Sequence, residues 1–169
     1  MADELFCGQL WTITKESASL PDGRVKTTER AARPDSVHLI AFVRDDRVLL
    51  LHEYRPFYKT YIWMLPSGKA DKETDIEVAA QRELQEETGY RAGEITLLWK
   101  ANNSEDMKST NYFFLARQLQ PSSLPQDDDE LIEVEEVSVE DAIDRVLKSP
   151  IVHTPSACGL LRYAREHGL

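Results

Sequence analysis

The chain has 169 residues, 41% of them hydrophobic and 30% charged, which suits one globular domain with a substantial core. Its formal net charge of -10 opposes binding to a nucleic-acid backbone or to an anionic membrane surface. An acidic chain can still take an anionic phosphate compound when metal ions stand between the two. The start, MADELFCGQLW, lacks a basic region followed by a long apolar run, and no apolar stretch reaches the length of a membrane span. Cys7 and Cys158 belong to no ligand pattern and are expected to be free thiols. A cytoplasmic enzyme or binding domain is the expectation.

In chain order, FCGQLWTIT (6–14) and RVKTT (24–28) flank the turn LPDGR and predict a small antiparallel unit. Residues 1–35 are therefore expected to form an N-terminal β extension ahead of a main domain at 36–169. VHLIAFV (37–43) and VLLLHEYR (48–55), joined by RDDR, form a hairpin apolar enough to be central in a sheet. From Asp75 to Thr88 there is no Gly or Pro, and Ile76, Ala80 and Leu84 recur every four residues, predicting a helix that stops at Gly89. Strands follow at 94–100 and 111–117, then the polar loop QPSSLPQDDDE and the alternating strand LIEVEEVSV. Ser138 with Asp141, and Thr154 with Pro155, mark two more helix starts, the second helix ending at Gly168. The expected architecture is a mixed α/β domain with a sheet between helices.

The predicted helix carries RELQEETGY (82–90), with Glu83, Glu86 and Glu87 crowded within five residues. Two readings are open: a solvated acidic face, or carboxylates gathered to hold a hard divalent cation. The surroundings favour the second. From Gly68 to Tyr90 the span GKADKETDIEVAAQRELQEETGY closely resembles the Nudix box, with Gly68, Arg82, Glu83, Leu84, Glu86, Glu87 and Gly89 in register. Thr74 stands where that signature has its first glutamate, and Tyr90 replaces the closing aliphatic residue. The first glutamate supports the loop and helix in that family, so Thr74 bears on local rigidity, with Glu73 or Glu77 available to partner Arg82.

LPDGR, LLLHEYRPF and WMLPSGKAD extend the resemblance to the ADP-ribose pyrophosphatase and nucleotide-sugar branch of the Nudix hydrolases. The resemblance implies an α/β/α sandwich with a mixed sheet and hydrolysis of a nucleoside diphosphate sugar or ADP-ribose to a nucleoside monophosphate and a sugar phosphate. Many ADP-ribose hydrolases have a proline some fifteen residues past the box; WKANNSEDMKST has none, which leaves other nucleotide sugars open. Rival expectations are a Nudix enzyme of dinucleoside polyphosphates or nucleoside triphosphates, and a non-catalytic domain that senses a nucleotide sugar.

The same resemblance distributes the roles. Mg2+, or Mn2+ in its place, is held by Glu83, Glu86, Glu87 and the backbone carbonyl of Ser67. Glu83 also counts in the catalytic set with Glu130 and Asp129, the loop acids that supply the base, Glu130 first. Arg55 and Tyr54 bind substrate, while Gly68, Arg82 and Gly89 support the structure. Tyr58, Tyr61 and Trp63 either stack on a nucleobase or pack internally. His38, His52, His153 and His167 have no ligand spacing. The branch builds a homodimer through its N-terminal sheet, so a homodimer is expected here.

Overall fold

In a computed structural model, which describes residues 2–127 and 129–169, the chain opens with three antiparallel strands, β1 (Asp3–Cys7), β2 (Thr12–Ser19) and β3 (Val25–Ala32). The expected strand 6–14 is broken. Gly8 N–H bonds back to Trp11 O at 2.8 Å, and the reversal divides the apolar run between β1 and β2. No described residue before Ser36 is buried.

The main sheet begins with β4 (Ser36–Arg44), β5 (Arg47–Arg55), β6 (Thr60–Met64) and the short β7 (Ser67–Lys69). Helix α1 (Ile76–Thr88) follows, then β8 (Tyr90–Asn102), β9 (Met107–Lys108), β10 (Thr110–Pro121) and β11 (Ile132–Ser138). The chain closes with α2 (Val139–Lys148) and α3 (Thr154–His167). Strand order in the main sheet is β11-β5-β4-β10-β8, with β6 on β5 and β7 on β4, while β9 joins the N-terminal sheet beside β3. The β4–β10 pair is parallel and its neighbours are antiparallel, so the sheet is mixed. Strands β8 and β10 run well past the expected 94–100 and 111–117, because they pair with each other from Tyr90 to Asn102. Pairing fixes strand length here, and the polar ends of both segments conceal it.

Central β4 is apolar on both faces because helices cover both. Val37, Leu39 and Ala41 pack with Ala80 and Leu84 of α1, while Ile40 and Phe42 pack with Val146 of α2 and Leu160 of α3. The helix ends follow the side chains. Asp75 accepts from Glu77 N–H, Ser138 accepts from Asp141 N–H, and Gly89 and Gly168 terminate their helices at φ 76° and 71°. Buried His38 bonds through Nε2 to Asn111 Oδ1 at 3.1 Å. The Asn111 amide nitrogen donates to Asn103, so its oxygen faces the ring and Nε2 carries the proton. Burial pushes His38 down to about 4, and it stays neutral as part of the packing. Both cysteines are free and exposed. Among the described residues no helix is long and apolar enough to cross a membrane.

Candidate active site

Helix α1 and the turn that leads into β7 form the floor of the site. Glu83 and Glu87 lie one helical turn apart on the face that also buries Ala80 and Leu84, and both are buried. Glu87 Oε2 accepts from the backbone N–H of Ser67 at 2.7 Å. Gly68 follows, and a Cβ there would lie 2.0 Å from the carboxyl carbon of Glu83. Only a residue without a side chain lets the turn come this close to the helix. Gly68→Ala must push Glu83 aside, and we expect it to cost about 1–3 kcal/mol of stability, the usual range for overpacking. Thermal denaturation checks this, together with a parallel loss of turnover.

Arg82 ties the turn to the helix. Its Nε donates to Glu73 at 2.6 Å, Nη1 to Glu86 at 2.6 Å and Nη2 to Lys69 O at 3.0 Å, and Nη1 lies 2.9 Å from Glu83 Oε1. Glu73 therefore partners Arg82 beside the variant position Thr74, and the exposed Glu77 does not. At the far end of α1, Gly89 takes the left-handed conformation that ends the helix, its N–H bonding Gln85 O at 3.1 Å.

The opposite wall comes from β5 and the loop before β11. Side chains alternate along a strand, so Glu53 and Arg55 share a face. Glu53 is 5% exposed and was missed from sequence, although a glutamate inside VLLLHEYR, on the side of buried Leu49 and Leu51, was the available signal. Arg55 Nη1 lies 2.9 Å from Glu53 Oε1, and its Nη2 donates to Met64 Sδ at 3.0 Å. Tyr54 N–H bonds Leu131 O at 3.0 Å, which brings the loop end carrying Glu130 alongside β5.

Tyr54 itself points away. With His52, Tyr61 and Trp63 it lines a cleft of about 610 Å³ against α2, on the face opposite Arg55. The structure thus separates the two expected substrate residues onto opposite faces of β5. His52 stacks on Trp63 at 4.1 Å between ring centroids, and Arg145 lies over Trp63 at 4.6 Å. Packing accounts for Trp63, while Tyr58 is exposed outside the cleft.

Electrostatics show which acids converge. Burial pushes Glu83 up to about 7, against the opposing pull of Arg82. Burial likewise drives Glu87 well above the carboxylate range, and the charges of Glu83, Glu130 and Glu53 drive it further. Glu53 is raised by burial and by Glu130, and Glu130 by burial and by Asp127 and Asp129. Glu130 therefore lies within electrostatic range of all three buried glutamates. Asp129 is exposed and acts on Glu130, and Asp128 lies outside the described residues.

Among the described residues no three His, Cys, Asp or Glu side chains close on one point at ligating distance, since Glu83 and Glu86 are turned onto Arg82. The donor chemistry nevertheless fits a hard divalent cation. The Glu87 carboxylate meets other carboxylates and one backbone N–H, an excess of negative charge that such an ion relieves. The oxygens that would hold it are those of Glu83, Glu86, Glu87 and the Ser67 carbonyl.

A model of the Nudix domain matches residues 32–155. The chain belongs to the Nudix family. This Nudix chain is 28% identical over 164 residues to an ADP-ribose pyrophosphatase of Bacillus subtilis (strain 168), covering 95% of this chain and 88% of that one. An ADP compounds hydrolase of Escherichia coli (strain K12) is 29% identical over 125 residues, 72% of this chain and 67% of that one. The crystal structure of an ADP compounds hydrolase superposes with a TM-score of 0.78 at 25% identity, over 99% of this Nudix chain and 94% of the other. The mixed α/β architecture expected from sequence is the Nudix fold.

Proposed function

We propose that this protein hydrolyses the diphosphate of ADP-ribose or of a related nucleoside diphosphate sugar, releasing a nucleoside monophosphate and a sugar phosphate, with Mg2+ (or Mn2+) as cofactor. The observation that carries the reading is the seating of the Ser67–Gly68 turn on buried Glu83 and Glu87 of α1, with the charges of Glu53 and Glu130 acting on Glu87 and Arg55 paired to Glu53. Relatives that act on ADP-ribose and on ADP compounds support the substrate class. The bound ion supplies neutralisation of the diphosphate charge and acidification of a water molecule. Glu130 takes the proton of the attacking water, and its raised pKa brings it toward the range in which a carboxylate is an effective base. Arg55 donates to a substrate phosphate oxygen. Arg82 holds the turn and helix in place while Gly68 lets them meet.

The test is a panel of ADP-ribose, nucleotide sugars, dinucleoside polyphosphates and nucleoside triphosphates with Mg2+, followed by phosphate release after phosphatase coupling. Preferential cleavage of ADP-ribose or a nucleotide sugar is expected. Cleavage confined to triphosphates or dinucleoside polyphosphates overturns the substrate class, and binding without cleavage overturns the reaction.

A homodimer built through residues 1–35 is part of the same proposal. Strand β1 is exposed along its whole length, with Leu5 51% and Phe6 54% exposed, and no described residue before Ser36 enters the core. Such a sheet is marginal unless one face packs on something. Light scattering should give twice the 19.3 kDa of one chain at micromolar concentration. A fully active monomer contradicts the proposal.

A further inference from the structure

Strand β5 carries a charged pair whose inner member is buried and whose outer member reaches the rim of the site. Glu53 is almost fully enclosed, and a buried carboxylate without a partner is strongly disfavoured. Arg55 is that partner at 2.9 Å, and its second Nη reaches Met64 Sδ at 3.0 Å. A guanidinium carries five N–H donors, and among the described residues these two contacts leave others free on a side chain that is 37% exposed. The thioether is a weak acceptor, which leaves Glu53 as the strong restraint on an otherwise flexible arginine.

We propose that Glu53 is a positioning residue, fixing the Arg55 guanidinium at the rim of the carboxylate cluster with its free N–H groups presented to a substrate phosphate. The inference rests on the reading of Arg55 as the phosphate donor. Two features of the fold favour it. The pair lies on one strand, two residues apart, so the pleat sets both side chains on the same face without loop adjustment. The strand is also clamped on both sides, by β6 from Leu51 to Arg55 and by β11 from Arg47 to Glu53, so the anchor cannot drift when substrate arrives. A planar fork held at one end presents its remaining donors in a fixed direction, which a lysine at position 55 does not do.

The test is a double-mutant cycle on the substrate that the wild-type protein turns over best in the panel above, with kcat and KM measured separately. Arg55→Ala should raise KM about ten- to a hundredfold, the usual effect of losing a hydrogen bond to a charged group, and change kcat less. Glu53→Ala should reproduce much of that rise in the wild-type background and add nothing in the Arg55→Ala background. Glu53→Gln, which keeps an oxygen acceptor for Arg55, should hold KM near the wild-type value. Calorimetric binding of the same nucleotide in EDTA should rank the variants in the same order, independent of turnover. An equal effect of Glu53→Ala in both backgrounds overturns the assignment, as does a change in Mg2+ affinity with KM unmoved. A wild-type protein that turns over no member of the panel overturns the parent reading and this one with it. One that cleaves normally while the cycle is additive overturns this one alone.

Discussion

Glu87→Gln should abolish most hydrolysis while leaving the fold as stable as before or more so. The glutamine keeps an oxygen to accept from Ser67 N–H and removes a charge crowded by Glu83, Glu130 and Glu53. Changes to groups that merely orient a metal's ligands cost about ten- to a hundredfold, so losing a direct donor should cost at least about a hundredfold in turnover. Thermal denaturation in EDTA supplies the second measurement. Because the folded pKa of Glu87 is raised above its unfolded value, its contribution is fully favourable below the unfolded pKa and is lost as pH rises through the folded one. The Tm advantage of Glu87→Gln over wild type should therefore grow as pH rises from about 5 toward 8 in chelator, since unfolded glutamate titrates near 4.3. Adding Mg2+ should raise the wild-type Tm and leave the variant behind, because a ligand stabilises only the state that binds it. Near-normal turnover in Glu87→Gln would sink the metal-site reading.

The second large effect concerns the loop. Glu130→Gln should lower kcat by about two to four orders of magnitude, the range for loss of a general base, with substrate and Mg2+ affinity nearly intact. The reasoning is geometric as well as chemical. Glu130 N–H bonds Asp127 O at 3.2 Å, which shapes a turn at the loop end, and its half-buried carboxyl acts electrostatically on the glutamates of α1 and β5. Asp129→Asn carries the same charge change on an exposed neighbour and should matter far less. Glu105, another acid outside α1, pairs with Lys26 at 2.7 Å on the N-terminal sheet and serves as a distant control. A larger loss at Asp129 than at Glu130 would move the base by one residue.

Much of the site was legible in the chain because it is local. Gly68, Arg82, Glu83, Glu86, Glu87 and Gly89 fall within 22 consecutive positions of one turn and one helix. Helical periodicity alone puts Glu83 and Glu87 on the face of Ala80 and Leu84, and a helix-stopping glycine needs no distant partner to be recognised. The three helices and most strand cores were legible for the same reason, through apolar period and capping residues.

What escaped the sequence depends on pairs far apart in the chain. Whether Arg82 turns to Glu73 or Glu77 depends on how the loop from Lys69 folds back over the helix. That Arg55 belongs to the carboxylate site and Tyr54 to the opposite cleft depends on which face of β5 meets α1, and neighbouring residues on a strand always part company. Glu53 looked like one more charge in an acidic chain until the sheet buried it beside Glu87 and Glu130. By itself the sequence determined the family signature, the helix that carries it and the apolar strands that support it, since each is written in local spacing. Only the tertiary structure decided which acids act on one another and which cation pairs with them, because burial and the electrostatic coupling it strengthens arise when distant segments pack and exclude water.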